Sequence, residues 1–283
     1  MVHLRILGIA LLVLSLLESC KDGARESSAH AAEDVAAVAT LVGKDVDEIE
    51  RGLPEGARLL APLVANGADP RQNVAGVRKG LLRIRREVMD LNVAKSTFFA
   101  LADPSGIAIR NDLEEDVMAG QNLALIFPAL ATPQEALVTT TGAFPNGSPK
   151  NGPDKDWIGA VPVKRPDGST GALLVTGWSY RYFARHLQEA LRTRLLEQAK
   201  AAGNEGKLPV YYVALFDRSG VYPAPTTPLV DERALADQDL VTRTATGTFQ
   251  GAMSITDRVF GFAAQRTPRL APDTGVVVLR SEL

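Results

Sequence analysis

One cysteine and three histidines in 283 residues leave this chain poor in thiols and in soft metal ligands. A disulfide framework needs cysteine pairs and structural zinc sites need Cys and His clusters, so both are excluded. Past its N-terminal run the chain has no apolar stretch near the roughly 20 residues that cross a bilayer. Charge of one sign is also missing. The 31 Lys and Arg against 33 Asp and Glu give a net charge of −2, so no global basic field exists to hold nucleic acid by counterion release. Catalytic signatures are absent too: there is no G-x-S-x-G elbow, phosphate loop or H-E-x-x-H. The acid–base repertoire beyond the N-terminus reduces to His30 and His186, neither placed beside a nucleophile. The reading is a non-enzymatic chain that needs no cofactor and no metal.

What is present begins with an envelope signal. Met-Val-His-Leu-Arg is followed by Ile6 to Leu17 without a charge, the order of a secretory n-region and h-region. The run ends Leu17-Glu18-Ser19-Cys20, which resembles a bacterial lipobox and places the only cysteine at the lipidation position. Residues 1–19 are therefore expected to be a signal peptide, and residues 20–30, small and polar, a lipidated tether. Lys21 stands where many inner-membrane lipoproteins carry Asp, which points to the outer membrane.

Helical periodicity follows. Residues 31–68 read as an N-terminal helical segment broken at Gly52-Leu53-Pro54 and able to restart at Pro54. Val74, Val77, Leu81, Ile84, Val88 and Leu91 form one apolar stripe, with Arg78, Lys79, Arg83, Arg85 and Arg86 on the other side, either a solvated face or a surface for anionic headgroups or a partner. The period then changes. Ser96 to Ala102, the turn Asp103-Pro104-Ser105-Gly106 and the strand from Ile107 to Arg110 read as a β-hairpin. Ala214-Leu215-Phe216-Asp217-Arg218-Ser219-Gly220-Val221 repeats that pattern at a constant spacing, with aromatic pairs leading into both copies, and indicates two duplicated modules. The first spans 69–202, with strands near 135–143, 156–163 and 171–177 and a breaker-rich lid from Phe144 to Pro153. It closes on a linking helix capped by Ser179. The second spans 203–283, with a polar loop from Asp231 to Asp239 before three more strands. The expected fold class is α+β, two antiparallel sheets with flanking helices joined by a long helix.

A long helix, a strand into Asp-x-Ser-Gly, a returning strand, a polar loop and three antiparallel strands is a PAS-like order, and outside the cytoplasm it resembles a Cache sensor domain. Phe98 to Asp112 with Asp116 to Gln121 resembles the Cache hairpin and pocket loop, and Ala160 to Val163 with Gly171 to Val175 resembles its last two strands. Two such modules resemble a double Cache arrangement. The resemblance implies a small-molecule-binding sensor that signals through a partner protein. The competing class is a structural or adaptor lipoprotein with no small ligand. The residues read as candidate ligand contacts are Trp157, Trp178 and Tyr180 as aromatic walls, Arg110 as a fork for a ligand carboxylate, and Asp112 beside it. The acidic group Asp112, Glu114, Glu115 and Asp116 lacks the alternating spacing and Gly of a calcium loop.

The N-terminal reading is tested by Cys20→Ser. The substitution is expected to release the protein from membranes on fractionation and to abolish metabolic palmitate labelling; unchanged fractionation with no label in the wild type would refute lipid attachment.

Overall fold

The computed structural model describes residues 2–132, 134–143, 154–204 and 208–282, with side chains of the first helix from residue 23 onward. It contains two five-stranded antiparallel sheets. The chain forms two compact units. One is Leu41–His186 with Thr267–Pro272, and the other is Leu187–Arg266 with Asp273–Leu283 and the chain up to Thr40.

In the first unit, helix α1 (Val2–Leu60) presents Val42, Val46, Ile49, Leu53, Ala57 and Leu60, all nearly inaccessible, at steps of three or four. Pro54 does not end the helix as the sequence suggested. Losing one intrahelical bond at a proline costs about 3 kcal/mol, whereas each buried aliphatic side chain contributes about 1.5–3 kcal/mol. The stripe on both sides of Pro54 outweighs the break. The basic helix divides at Val88, which is extended (ψ 114°), into α2 (Val74–Glu87) and α3 (Met89–Val93). The sheet follows as β1 (Phe98–Ala102) and β2 (Ala108–Asn111), a short helix α4 (Leu123–Ile126), then β3 (Val138–Gly142), β4 (Asp156–Lys164) and β5 (Thr170–Ser179), in spatial order β2-β1-β5-β4-β3. Helix α5 (Tyr180–Ala201) starts where Ser179 Oγ accepts the Tyr182 N–H at 3.2 Å, the cap read from the sequence.

The second unit repeats the arrangement. Strands β6 (Val210–Asp217) and β7 (Gly220–Pro223) are followed by helices α6 (Leu229–Ala236) and α7 (Leu240–Arg243). Then β8 (Phe249–Ile255), β9 (Arg258–Arg266) and β10 (Gly275–Ser281) complete the order β7-β6-β10-β9-β8. The duplicated turns match: Asp103 Oδ1 accepts the Ser105 N–H at 2.8 Å and Asp217 Oδ1 accepts the Ser219 N–H at 2.7 Å. The polar loop expected from Asp231 to Asp239 is largely helix α6, because Asp231 and Leu235, one turn apart, are both buried. Asp231 is 4% exposed with no hydrogen bond to its carboxylate among the described residues, and burial raises its pKa above the ordinary value.

The stretch read as a tether is also helical, as part of α1. Ser27 is 2% exposed, its Oγ accepts the Glu282 N–H at 3.3 Å, and His30 Nδ1 lies 2.8 Å from Glu282 Oε1. The small residues that suggested a flexible linker allow close packing instead. A Cβ on Gly261 would sit 2.1 Å from the Ser28 nitrogen, so strand β9 and α1 touch backbone to backbone. Gly261→Ala is therefore expected to destabilise the protein by about 1–3 kcal/mol, the usual cost of overpacking, measured by urea denaturation. Unchanged stability would refute the close contact.

Candidate functional site

A strand shows alternate residues to opposite faces of its sheet, so a ligand on one face meets every second residue. In the first unit one face belongs to the helices. A Cβ on Gly159 would meet Leu53 of α1 at 3.0 Å, and Leu174 packs beside Gly56. Trp157 and Trp178 lie on this helix-facing side. They stack at 4.5 Å, and Trp178 stacks on Phe183 of α5 at 4.3 Å. Trp157, Trp178 and Tyr180 are 0% exposed and line none of the cavities described below, which corrects their reading as pocket walls. They pack as buried core residues.

Arg110 and Asp112 are likewise structural. The Arg110 guanidinium pairs with Asp116 at 2.9 Å and donates to the carbonyls of Leu113 and Glu114 at 2.8 and 3.2 Å, so it braces its own loop and lies outside the cavity described below. Asp112 accepts the Phe99 N–H at 2.8 Å and lies 3.0 Å from the Arg85 guanidinium. Asp116 organises the loop that follows. Burial alone would raise its pKa, but Arg110 and the N–H groups of Asn111, Met118 and Ala119 together hold it below the usual carboxylate range.

The other face of the sheet is covered by a thinner layer. Ala100, Ala102, Ile158, Ala160, Leu173 and Val175 pack under Met118, Leu123, Phe127 and Leu130. At one end this layer leaves a cavity of about 260 Å³. Phe98, Met118 and Phe127 form its apolar interior, while Leu113, Val117 and Tyr182, each more than two-fifths exposed, stand at its mouth. Its polar groups are Thr97, Asn111, Asp156 and Ser179. Asn111 carries the clearest signal. It is 0% exposed, its Oδ1 accepts the Leu113 N–H at 2.9 Å, and its Nδ2 has no partner among the described residues. A buried amide donor left unpaired costs about 1–3 kcal/mol, which a ligand acceptor would recover. Asp156, 8% exposed, is the only charged residue of the lining among the described residues. The breaker-rich stretch from Phe144 to Pro153 read as a lid lies outside the described residues.

The second unit fills the corresponding place. Phe98 and Ile158 both face Gly177 across the first sheet, and Tyr212 and Phe262 both face Leu279 across the second. By the same register Phe260 occupies the position of Asp156. Tyr212, Phe260 and Leu279 belong to the core cluster of that face, and the two rings lie 6.4 Å apart. Side chains take the volume that is open in the first unit. A separate depression of about 460 Å³ in the second unit lies at the β6–β7 turn, between Ser219 and α7.

No family model matches the chain, and no curated protein matches it in sequence. Solved structures do. The extracellular domain of the histidine kinase vpHK1S-Z8 matches with a TM-score of 0.60 at 9% identity over 93% of each chain. The ligand-binding domain of the Campylobacter jejuni chemoreceptor Tlp3, in complex with L-valine, matches with a TM-score of 0.51 at 11% identity over 91% of this chain and 93% of that one. The chain thus has the α+β, two-sheet fold of Cache-type extracellular sensor domains. Among the described residues no helix is long and apolar enough to cross a membrane.

Asp116→Asn is expected to lower stability at pH 7 by about 1–3 kcal/mol, because donors set for a carboxylate lose their acceptor charge. Since the folded pKa of Asp116 is depressed, its contribution is present above the unfolded value and lost as pH falls through the folded one. The difference between variant and wild type in thermal denaturation should shrink over that acid range; a difference independent of pH would refute the role.

Proposed function

We propose that the chain is an extracytoplasmic, non-enzymatic sensor that binds one small molecule in the cavity of the first unit and signals through a partner protein while tethered by lipid at Cys20. The fully buried Asn111 side chain, whose Nδ2 has no partner among the described residues and which lines this cavity, carries this reading. The volume lies just under the roughly 300–1,000 Å³ usual for small-molecule sites, which suits a compact metabolite. The polar groups support a ligand class. Asp156 offers an anionic acceptor and Asn111 a neutral donor, and no Lys or Arg lines the cavity among the described residues. A ligand bearing an amine or amide on a small apolar body fits that lining. Two of the similar structures hold L-valine and isoleucine, ligands of Tlp3. The lipid tether and envelope location rest on the N-terminal sequence alone.

Thermal-shift screening of the protein against amines, amides, amino acids, carboxylates and nucleobases is the direct test. A ligand at a hundredfold excess over Kd adds about 2.7 kcal/mol, a shift of a few degrees for this chain length. Hits are expected among amines and amides. Val117→Trp, which closes the mouth from an exposed position, should abolish the shift without lowering the unliganded Tm, and Asn111→Leu should weaken it about tenfold or more. Silence across the panel would favour the adaptor class, as would a hit indifferent to both variants.

A further inference from the structure

Helix α2 turns Val77, Leu81 and Ile84 into the core and leaves its opposite side to solvent. Between that side and strand β2 runs a groove of about 510 Å³ lined by Arg78, Lys79, Arg85, Arg86 and Arg110, with no carboxylate in the lining. Val74 and Leu82, 46% and 36% exposed, add an apolar wall.

Three of the cations are held in place. Arg78 pairs with Glu114 and donates Nε–H to the Asp112 carbonyl at 3.3 Å. Arg85 lies 3.0 Å from Asp112 and 4.8 Å over the Phe99 ring, and Arg110 is fixed by Asp116 and two carbonyls. All the carboxylates and the Arg78 and Arg110 carbonyls come from residues 112–116, so that loop orders the guanidiniums beforehand. These bonds leave N–H donors on each, since a guanidinium carries five. Lys79 and Arg86 have no ion pair or side-chain hydrogen bond among the described residues. The groove therefore gathers five positive charges against three bound carboxylates, and its two uncompensated cations sit on one helix face beside exposed apolar side chains.

We propose that this groove is a second binding site, separate from the cavity at Asn111, for a phosphate monoester carrying an apolar group. The charge complementarity is direct. A phosphate monoester carries about −1.5 to −2 at neutral pH, which matches the excess of Lys79 and Arg86. Preordered guanidinium forks bind phosphate oxygens in pairs, and Val74 with Leu82 meets the organic part. A soluble ester and a lipid headgroup share this chemistry.

Calorimetric titration with phenyl phosphate at low ionic strength, with sodium chloride at matched ionic strength as control, tests the soluble source. Co-sedimentation with phosphatidylcholine vesicles containing phosphatidic acid, against phosphatidylcholine alone, tests the membrane source. Binding in either arm supports the site and identifies the source. The double variant Lys79→Gln/Arg86→Gln removes no described contact and should keep the wild-type Tm while losing about tenfold or more in affinity. Val117→Trp, at the mouth of the other cavity, should leave this binding unchanged. The proposal is overturned if neither probe binds above its control, or if the double variant binds as tightly as the wild type.

Discussion

The alternation of a strand between two faces governs everything functional in the first unit. Strands β4 and β5 are apolar on both faces, and only one face takes the long helix. Where α1 closes on Gly159, the neighbouring Trp157 and Trp178 are buried in an aromatic stack. Asp156, one residue away, falls on the thinly covered side and reaches the cavity. A single step of register separates a core residue from a cavity-lining residue.

This constraint also explains what the sequence could and could not reveal. Turn chemistry at Asp103 to Gly106 and Asp217 to Gly220 is local, so the hairpins and their repetition were readable, as was the order of later strands. Face assignment was not. Trp157 and Asp156 lie in a run buried at nearly every position, where periodicity carries no sign of inside and outside. Aromatic residues drew attention because they are large, yet size is as valuable to a core as to a pocket. Asn111 was overlooked, although a polar residue of poor strand propensity between Arg110 and Asp112 was a signal available in principle. The polar segment at 21–30 is ambiguous for the opposite reason: Ser and Gly suggest looseness in a sequence, whereas small side chains also permit a close helix–strand approach, as in the second unit.

The two sheets share one topology and differ in how their corresponding face is used. Gly177 in the first stands where Leu279 stands in the second, and Asp156 where Phe260 stands. A Cβ on Gly177 would sit 2.1 Å from the Trp157 carbonyl oxygen, so an exchange of glycine for leucine there also requires the backbone of β4 and β5 to shift. One topology thus carries an open face in the first unit and a packed face in the second.

The buried carboxylate of Asp231 gives the second unit a property beyond packing. Its proton is held more firmly in the folded chain than in the unfolded one, because burial disfavours the carboxylate. Between the unfolded and folded pKa values, folding of this unit takes a proton from solution. Its calorimetric enthalpy then contains the ionisation heat of whichever buffer supplies that proton, so in this acid range the same molecule melts with different apparent heats in buffers of unlike ionisation enthalpy.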